Sequence, residues 1–364
     1  MFKRFFSGLL LLSLISCVRQ VNVPIRTVPP QLVVEGWITT DSAPYTIKLS
    51  YSGPFTNTYQ VSEDTGKYFI MDARVTIVDD LGDSTPCIWV GSGNYLSADP
   101  NFIGAIGRTY TLRIYLSNGN TYLSKPETIY PVPPIDSLSL VYDSTWITDV
   151  RPNQYIISAN THDLAGTRNY YRWTASAYIA RKSWGGNSCV ATPYWGPCGD
   201  PFSCTCHALC DEYVADGGIN VLSNQLINGR EIIQTAYNIP IYWLGKDFVQ
   251  VNQYSISENV YEFWEQYEAQ TNRTGSILDP LPAPVIGNIY NAIDSTDIAL
   301  GIFSASAGAS QRLVIVPFNL QQYWLESIAG EFIQPGDCQV VYPGALPDDT
   351  DPPGWENAPV LNLH

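Results

Sequence analysis

LVVEGWITTDSAPYTIKLS, residues 32–50, is the stretch that decides the fold class of this chain. Apolar and β-branched residues alternate with polar ones on both sides of a DSAP turn, which is the period of a half-buried β-strand. The pattern returns in YFIMDARVTIVDD, CIWV and RTYTLRIYL, and Asn118-Gly119 follows the last of these as a strong hairpin signal. Short strands about ten residues apart predict an immunoglobulin-like β-sandwich over residues 31–130.

A proline run at residues 131–134 marks a domain boundary, because no central strand tolerates PVPP. Segments such as NYYRWTASAYIAR and KDFVQVNQYSI then resume the strand pattern. They predict a larger β-rich domain over residues 135–346, with a Cys-rich insertion at 184–212. Residues 347–364 form an acidic, Pro-rich tail whose composition predicts an extended or poorly ordered segment.

One amphipathic helix is predicted at residues 257–272. Ser255 and Glu258 match a capping box at its start. The fold class is therefore mainly β, with one helix and an insertion rich in disulfides. The apolar face of the helix, predicted to pack on a sheet, comprises Val260, Phe263, Trp264 and Tyr267.

The N-terminus combines a basic KR pair with about 11 apolar residues, whereas a bilayer span needs about 20. This pattern predicts a secretory signal peptide at residues 1–16. LISC, residues 14–17, resembles a bacterial lipoprotein box, in which the chain is cut before the Cys and the Cys is acylated. We predict a bilayer anchor through acylated Cys17, with residues 17–30 as a tether. The alternative is an ordinary cleaved signal with a coincidental Cys.

The net charge of −15 and the absence of a basic patch argue against nucleic acid as a partner. Tyr, Gly and Pro are frequent and charged residues make up 15% of the chain, which is typical of secreted β-proteins. No Asp follows Cys17, which favours the outer membrane over the inner one. The periplasmic face and the cell surface both stay open.

Two segments carry a family resemblance: ENVYEFWEQYEAQTNRTGSILDPLPAPVIGNIYN at 258–291 and IALGIFSASA at 298–307. Together with the VVEGWI strand they resemble the Bacteroidota outer-membrane lipoprotein family catalogued as domain of unknown function 4249. The resemblance implies an envelope lipoprotein that accompanies a TonB-dependent β-barrel receptor, and it implies no catalytic residue. Gly275, Gly287 and Gly301 in these motifs suit turns or close backbone approach.

The cysteines beyond Cys17 favour disulfides, because an exported chain enters a compartment where disulfides persist. Cys87 is then the unpaired and buried one, the connectivity of the others stays open, and Cys338 is expected to reach the insertion. A zinc site at Cys204, Cys206, His207 and Cys210 is the alternative, although Cys-x-Cys is a poor spacing for it. Partly free thiols are a third interpretation. The disulfide candidates are Cys189, Cys198, Cys204, Cys206, Cys210 and Cys338.

No catalytic motif is recognisable around the three histidines, so neither an enzyme nor a cofactor is predicted. Trp184, Tyr194 and Trp195 lie in or beside a Gly/Pro/Cys loop where burial is difficult, and they are the predicted interaction surface. The sequence favours a non-enzymatic accessory or ligand-binding subunit of an outer-membrane receptor or assembly complex. A structural or adhesive envelope module and an envelope hydrolase are the alternatives.

Overall fold

The computed structural model describes residues 29–53, 68–143, 154–184, 205–210, 219–241, 246–271, 284–316, 334–335, 346–347 and 351–362. The described chain is mainly β with one α-helix, as predicted. None of its helices is long and apolar enough to cross a bilayer. The predicted signal peptide and most of the tether lie outside the described residues.

The helix α1 spans Glu258–Thr271. The strands, in chain order, are β1 (Leu32–Thr39), β2 (Thr46–Tyr51), β3 (Arg74–Asp79), β4 (Ser84–Gly91), β5 (Asn94–Ser97), β6 (Thr109–Tyr115), β7 (Thr121–Ser124), β8 (Glu127–Thr128), β9 (Ile135–Asp143), β10 (Gln154–His162), β11 (Tyr170–Trp184), β12 (Thr205–Cys210), β13 (Asn220–Ser223), β14 (Glu231–Pro240), β15 (Asp247–Ile256), β16 (Ile289–Asn291), β17 (Leu300–Ser306), β18 (Gly308–Val316), β19 (Gln334–Pro335), β20 (Leu346–Pro347) and β21 (Val360–Asn362).

The first sheet contains ten strands in the order β16-β7-β6-β3-β4-β5-β2-β1-β17, with β8 on β6. It curls around one apolar core into a nearly closed barrel. The predicted immunoglobulin-like sandwich over residues 31–130 is not confirmed. The physical reason is that β5 pairs with both β4 and β2, so the strands expected in two facing sheets are hydrogen-bonded in one.

The parallel pairing of β1 with β17 brings a late segment of the chain into this sheet. It requires glycine, because a Cβ on Gly301 would lie 1.9 Å from the Val34 carbonyl oxygen, and the φ of Gly301 is +90°. A Cβ on Gly287 would lie 1.6 Å from the Gly301 oxygen. The close approach predicted for Gly287 and Gly301 is confirmed, and Gly275 lies outside the described residues.

Two facing sheets occur in the second half of the chain. A three-stranded sheet, β14-β10-β9, shares one apolar core with an eight-stranded sheet, β20-β12-β11-β15-β18-β21, in which β13 and β19 also pair with β11. Tyr155, Trp173 and Val251 are buried between them. This part of the chain therefore has a layered core, whereas the first sheet wraps around its own.

The two halves meet where β17 leaves the first sheet and continues as β18 in the eight-stranded sheet. Ala307 lies at this corner, and its carbonyl accepts a hydrogen bond from the Ser255 N–H at 3.1 Å. Ser255 Oγ in turn accepts from the Ala307 N–H at 3.3 Å. The predicted capping role of Ser255 is wrong because Ser255 belongs to β15. Ser257 caps α1 instead, and its Oγ accepts from the Val260 N–H at 3.3 Å.

Helix α1 packs its apolar face on the junction of the two halves. Val260 and Phe263 are buried in a cluster with Ile256 and Ile302, which confirms them as core residues. Tyr267, at the end of the predicted face, is 44% exposed. The helix therefore covers one end of the space between β17 and β15.

Part of the acidic tail packs against the eight-stranded sheet. Strand β21 pairs in parallel with β18, and Trp355 is buried against Phe248 with ring centroids 5.5 Å apart. The Arg312 guanidinium lies 5.0 Å from the centre of the Trp355 ring. Residues 351–362 are therefore part of the folded body.

Candidate functional site

A cleft of about 380 Å³ opens between the two halves of the protein. One wall is the outer face of β1 and β17, and the other is the outer face of β11 and β15. Trp264 of α1 lines the cleft as well. The cleft exists because the chain turns between β17 and β18, so that the two sheets to which these strands belong diverge from this corner.

Strand alternation decides which side chains line the cleft. Ile302, Ser304 and Ser306 of β17 line it, whereas Phe303 and Ala305 between them are buried in the barrel core. On the opposite wall Arg172, Thr174 and Ser176 of β11 take the same alternating positions. A hydroxyl-rich surface therefore faces a second hydroxyl-rich surface across the opening.

The polar groups of the cleft form short local networks. Ser304 Oγ and Ser306 Oγ lie 2.9 Å apart. On the other wall Asn252 Nδ2 donates to Thr174 Oγ1 at 3.5 Å and Asn252 Oδ1 accepts from Gln250 Nε2 at 2.9 Å. Hydroxyls can both donate and accept, so these networks can be rearranged around a polar ligand.

Two indoles give the cleft apolar surface. Trp37 of β1 is 42% exposed although the strand residues on either side of it are buried. Trp264 is half-buried. Flat aromatic surface beside a few polar groups is the usual composition of a small-molecule site.

Arg172 carries the only positive charge among the described residues that line the cleft. Its guanidinium carbon lies 4.0 Å from the centre of the Trp264 ring, a cation–π contact. Its Nε is buried and has no hydrogen-bond partner in the described part of the chain. Burial lowers the pKa of Arg172, against the raising effect of nearby Tyr254 and Glu35. The carboxylate of Glu35, which also lines the cleft, forms no ion pair with it.

A second buried polar centre lies at Asp163, just after β10, and its hydrogen bonds are complete. Its Oδ1 accepts from the Tyr171 hydroxyl at 2.5 Å, and its Oδ2 accepts from Asn224 Nδ2 at 2.8 Å and the Gly229 N–H at 2.7 Å. Asn169 donates to it as well, at 3.2 Å. Burial alone would raise the pKa of Asp163, but these donors outweigh burial and hold the pKa below its ordinary value.

A third buried group, Glu127 of β8, has one satisfied oxygen. Asn288 Nδ2 donates to its Oε1 at 2.8 Å, whereas Oε2 has no partner among the described residues. Burial raises the pKa of Glu127, and nearby Ser257, Asn288 and Lys125 oppose that effect. A carboxyl group in this position favours its neutral form.

The described residues contain no cluster of three His, Cys, Asp or Glu side chains that could hold a metal ion. Nor does any histidine or cysteine line the cleft, as far as the chain is described. His162 is exposed on β10, where its Nδ1 lies 2.7 Å from Asp136 Oδ2. The described lining of the cleft offers hydrogen-bonding groups, aromatic surface, one cation and one carboxylate.

The predicted site residues are for the most part not open to test. Trp184 ends β11, and Cys206 and Cys210 lie on β12, which pairs with β11, but their side chains are not described. Cys87 is described, and it is buried and free as predicted, with its pKa raised to about 12 by burial. Outside the described residues lie Cys17, Cys189, Tyr194, Trp195, Cys198, Cys204 and Cys338.

The sequence interpretation missed the cleft. The alternation in NYYRWTASAYIAR predicts a strand and correctly puts Tyr171 and Trp173 on the buried face. The signal that was available is Arg172, a charged residue flanked by aromatic ones. It indicates an unusual position, but the strand that faces it, β17, lies more than a hundred residues away in the sequence.

Comparison with known proteins gives one family match. The sequence matches the family model described as "Domain of unknown function (DUF4249)" over residues 18–312. A search of curated proteins gave no match. Among solved structures, a crystal structure of a mutant Salmonella alpha-2-macroglobulin aligns at 10% sequence identity with a TM-score of 0.18. The alignment covers 65% of this chain and 14% of that chain, so this chain spans a small part of the macroglobulin's length.

Proposed function

The chain belongs to the DUF4249 family, and from this premise we propose that it is a non-enzymatic binding protein of the cell envelope. In this proposal acylated Cys17 holds the protein at the outer membrane of a member of the Bacteroidota. The folded body serves as an accessory or ligand-binding subunit of a TonB-dependent β-barrel receptor.

The observation that carries the proposal is the cleft between the two halves. Four strands and one helix contribute to it, and its lining combines hydroxyls, two indoles and an arginine. Pockets with mostly preformed walls and a few converging polar groups are the usual form of ligand sites. Among the described lining residues, no serine or threonine hydroxyl is hydrogen-bonded to Glu35, the carboxylate there, which favours binding over hydrolysis.

The envelope anchor is supported by the sequence. The LISC segment, residues 14–17, resembles a lipoprotein box, and the family resemblance implies the same attachment. Two or more acyl chains give firm anchorage, whereas one gives marginal binding. The receptor partnership is supported by the resemblance alone.

The binding role is tested by a ligand screen on the full mature chain in detergent. A panel of small polar molecules is titrated by calorimetry against the wild type and against Ser304→Trp, which puts an indole into the cleft. Ser84→Trp, at an exposed strand position of the barrel away from the cleft, is the matched control. We expect at least one ligand that the control binds and Ser304→Trp does not. Equal binding by both variants would remove the cleft from the proposal.

The anchor and the partner are tested in native membranes. We expect the wild type to fractionate with the outer membrane and Cys17→Ser to be released, and mass spectrometry should find an acylated N-terminal cysteine. In mild detergent, a β-barrel protein should co-purify with the wild type. Isolation of the chain alone would count against the accessory role and favour the structural or adhesive module.

A further inference from the structure

The cleft contains a cation that forms no ion pair with any described residue. Arg172 lies on the Trp264 ring, and its Nε has no hydrogen-bond acceptor among the described residues. A buried guanidinium N–H without an acceptor costs folding free energy, because it has lost its hydration and gained no replacement. An anion brought to the cleft would supply a counter-charge to the guanidinium, since charge-assisted hydrogen bonds from Arg are among the strongest in proteins.

We propose that the cleft binds a hydroxylated carboxylate of the acidic-sugar class, whose carboxylate pairs with Arg172. The inference rests on the proposed function, because it names the ligand of the same cleft.

The charges that line the cleft favour a carboxylate over a phosphate. Arg172 is the one cation among the described lining residues, and Glu35 adds a carboxylate nearby. A carboxylate ligand carries one negative charge, which one guanidinium can match with two parallel hydrogen bonds. A phosphate monoester carries about 1.5 to 2 negative charges, and the excess would lie uncompensated close to Glu35.

The rest of the lining suits the body of a sugar. Ser304, Ser306 and Thr174 present hydroxyls, and each can donate to or accept from a ligand hydroxyl. Trp37, 42% exposed, offers a flat apolar face on which the C–H face of a sugar ring can lie. An unsubstituted short-chain carboxylate would use Arg172 but none of these groups.

The test is a titration of the full mature chain with D-galacturonate, D-galactose, acetate and inorganic phosphate, at one low ionic strength. We expect galacturonate to bind at least tenfold more tightly than each of the other three. Arg172→Gln should reduce its affinity to that of galactose. Arg172→Lys keeps the charge but not the paired donors. It should therefore retain part of the preference for galacturonate over galactose.

Arg168→Gln is the matched control. Arg168 also lies over an aromatic ring, that of Tyr170 at 5.4 Å, but it is exposed and paired with Glu258 at 3.1 Å. Its loss should leave galacturonate affinity unchanged. Circular dichroism and a thermal melt confirm that each variant is folded.

Several outcomes overturn the inference. Equal affinity for galacturonate and galactose removes the role of the carboxylate, and equal affinity for acetate removes the sugar body. Tighter binding of phosphate reverses the choice of anion, and no binding of galacturonate refutes the proposal outright. If galactose binds as tightly as galacturonate and Ser304→Trp abolishes the binding of both, the cleft is a binding site and the proposed function stands, while the inference about the carboxylate is refuted. If galacturonate binds equally to Ser304→Trp, both fall.

Discussion

Tyr171 and Arg172 are neighbours on β11 and point to opposite faces of the sheet. Each belongs to a group of polar side chains, and the two groups differ in whether their hydrogen bonds are completed within the described protein. Tyr171 donates to Asp163, whose carboxylate has four donors within the protein. Arg172 lines the cleft with an Nε that has no partner among the described residues. The complete centre stabilises the fold, whereas the incomplete one lies where we propose that a ligand binds.

Comparison with Glu127 shows why a missing hydrogen-bond partner has a different consequence for an arginine. Its Oε2 also lacks a partner in the described chain, but a carboxyl group can become neutral by taking up a proton. A guanidinium stays protonated at any physiological pH. In our proposal, the charge of Arg172, which forms no ion pair with any described residue, is matched by a ligand in the cleft.

The largest change in stability is expected on substitution of Asp163, whose hydrogen bonds are complete. Asp163→Ala removes the acceptor of four donors and leaves them buried, so we expect a loss of about 3–5 kcal/mol in the free energy of unfolding. Guanidinium unfolding curves measure it. Asp136→Ala, at the exposed partner of His162, should leave the curve nearly unchanged. A small loss at Asp163 would mean that its hydrogen bonds do not hold this region together.

The same carboxylate should make stability depend on pH in the acid range. The pKa of Asp163 lies below its ordinary value of 3.8 in the folded protein. Its contribution is therefore present above that value and is lost as the pH falls through the depressed pKa. We expect the free energy of unfolding of Asp163→Asn to fall less than that of the wild type between pH 5 and about pH 2. Parallel curves would contradict the assignment.

Glu127 should affect the pH dependence of the free energy of unfolding with the opposite sign to Asp163. Its pKa is raised above the ordinary value of 4.5, so its favourable contribution is present at lower pH and is lost as the pH rises through the raised pKa. We expect Glu127→Gln to be about 1 kcal/mol more stable than the wild type above that pKa, because the buried charge is gone. Below pH 4.5 the advantage should disappear. A variant that is less stable at neutral pH would show that the ionised form is well accommodated.

The smallest effect is expected at the incomplete centre in the absence of ligand. Arg172→Met removes a charge whose buried Nε has no partner among the described residues, and it keeps apolar contact with Trp264. We expect the free energy of unfolding to stay equal or to rise by about 1 kcal/mol. A loss of several kcal/mol would show that Arg172 has a structural role, as Asp163 does.

Local patterns in the sequence predicted the elements better than their assembly. Alternation identified the strands, and the spacing of Val260 and Phe263 identified the buried face of α1. Ser255 matched a capping box, yet it lies on β15, because the sheet extends to Ile256 and the helix is capped by Ser257. Local spacing cannot distinguish two serines that each precede the same helix.

The single ten-stranded sheet was not predicted, because it depends on pairing between distant segments. β1 pairs with β17 across most of the chain, and no local signal encodes that partner. The cleft depends on the same pairing, since β17 forms one wall of it. The sequence signal for this pairing is Gly301. A glycine there permits close approach of another backbone segment, and in the structure that segment is Val34 of β1.

A crystal structure of the full mature chain grown with D-galacturonate tests the central claim most directly. We expect the ligand to lie in the cleft, with its carboxylate within hydrogen-bonding distance of the Arg172 guanidinium and its ring against Trp37. A structure in which Glu35 closes onto Arg172 and the sugar is absent from the cleft would contradict it.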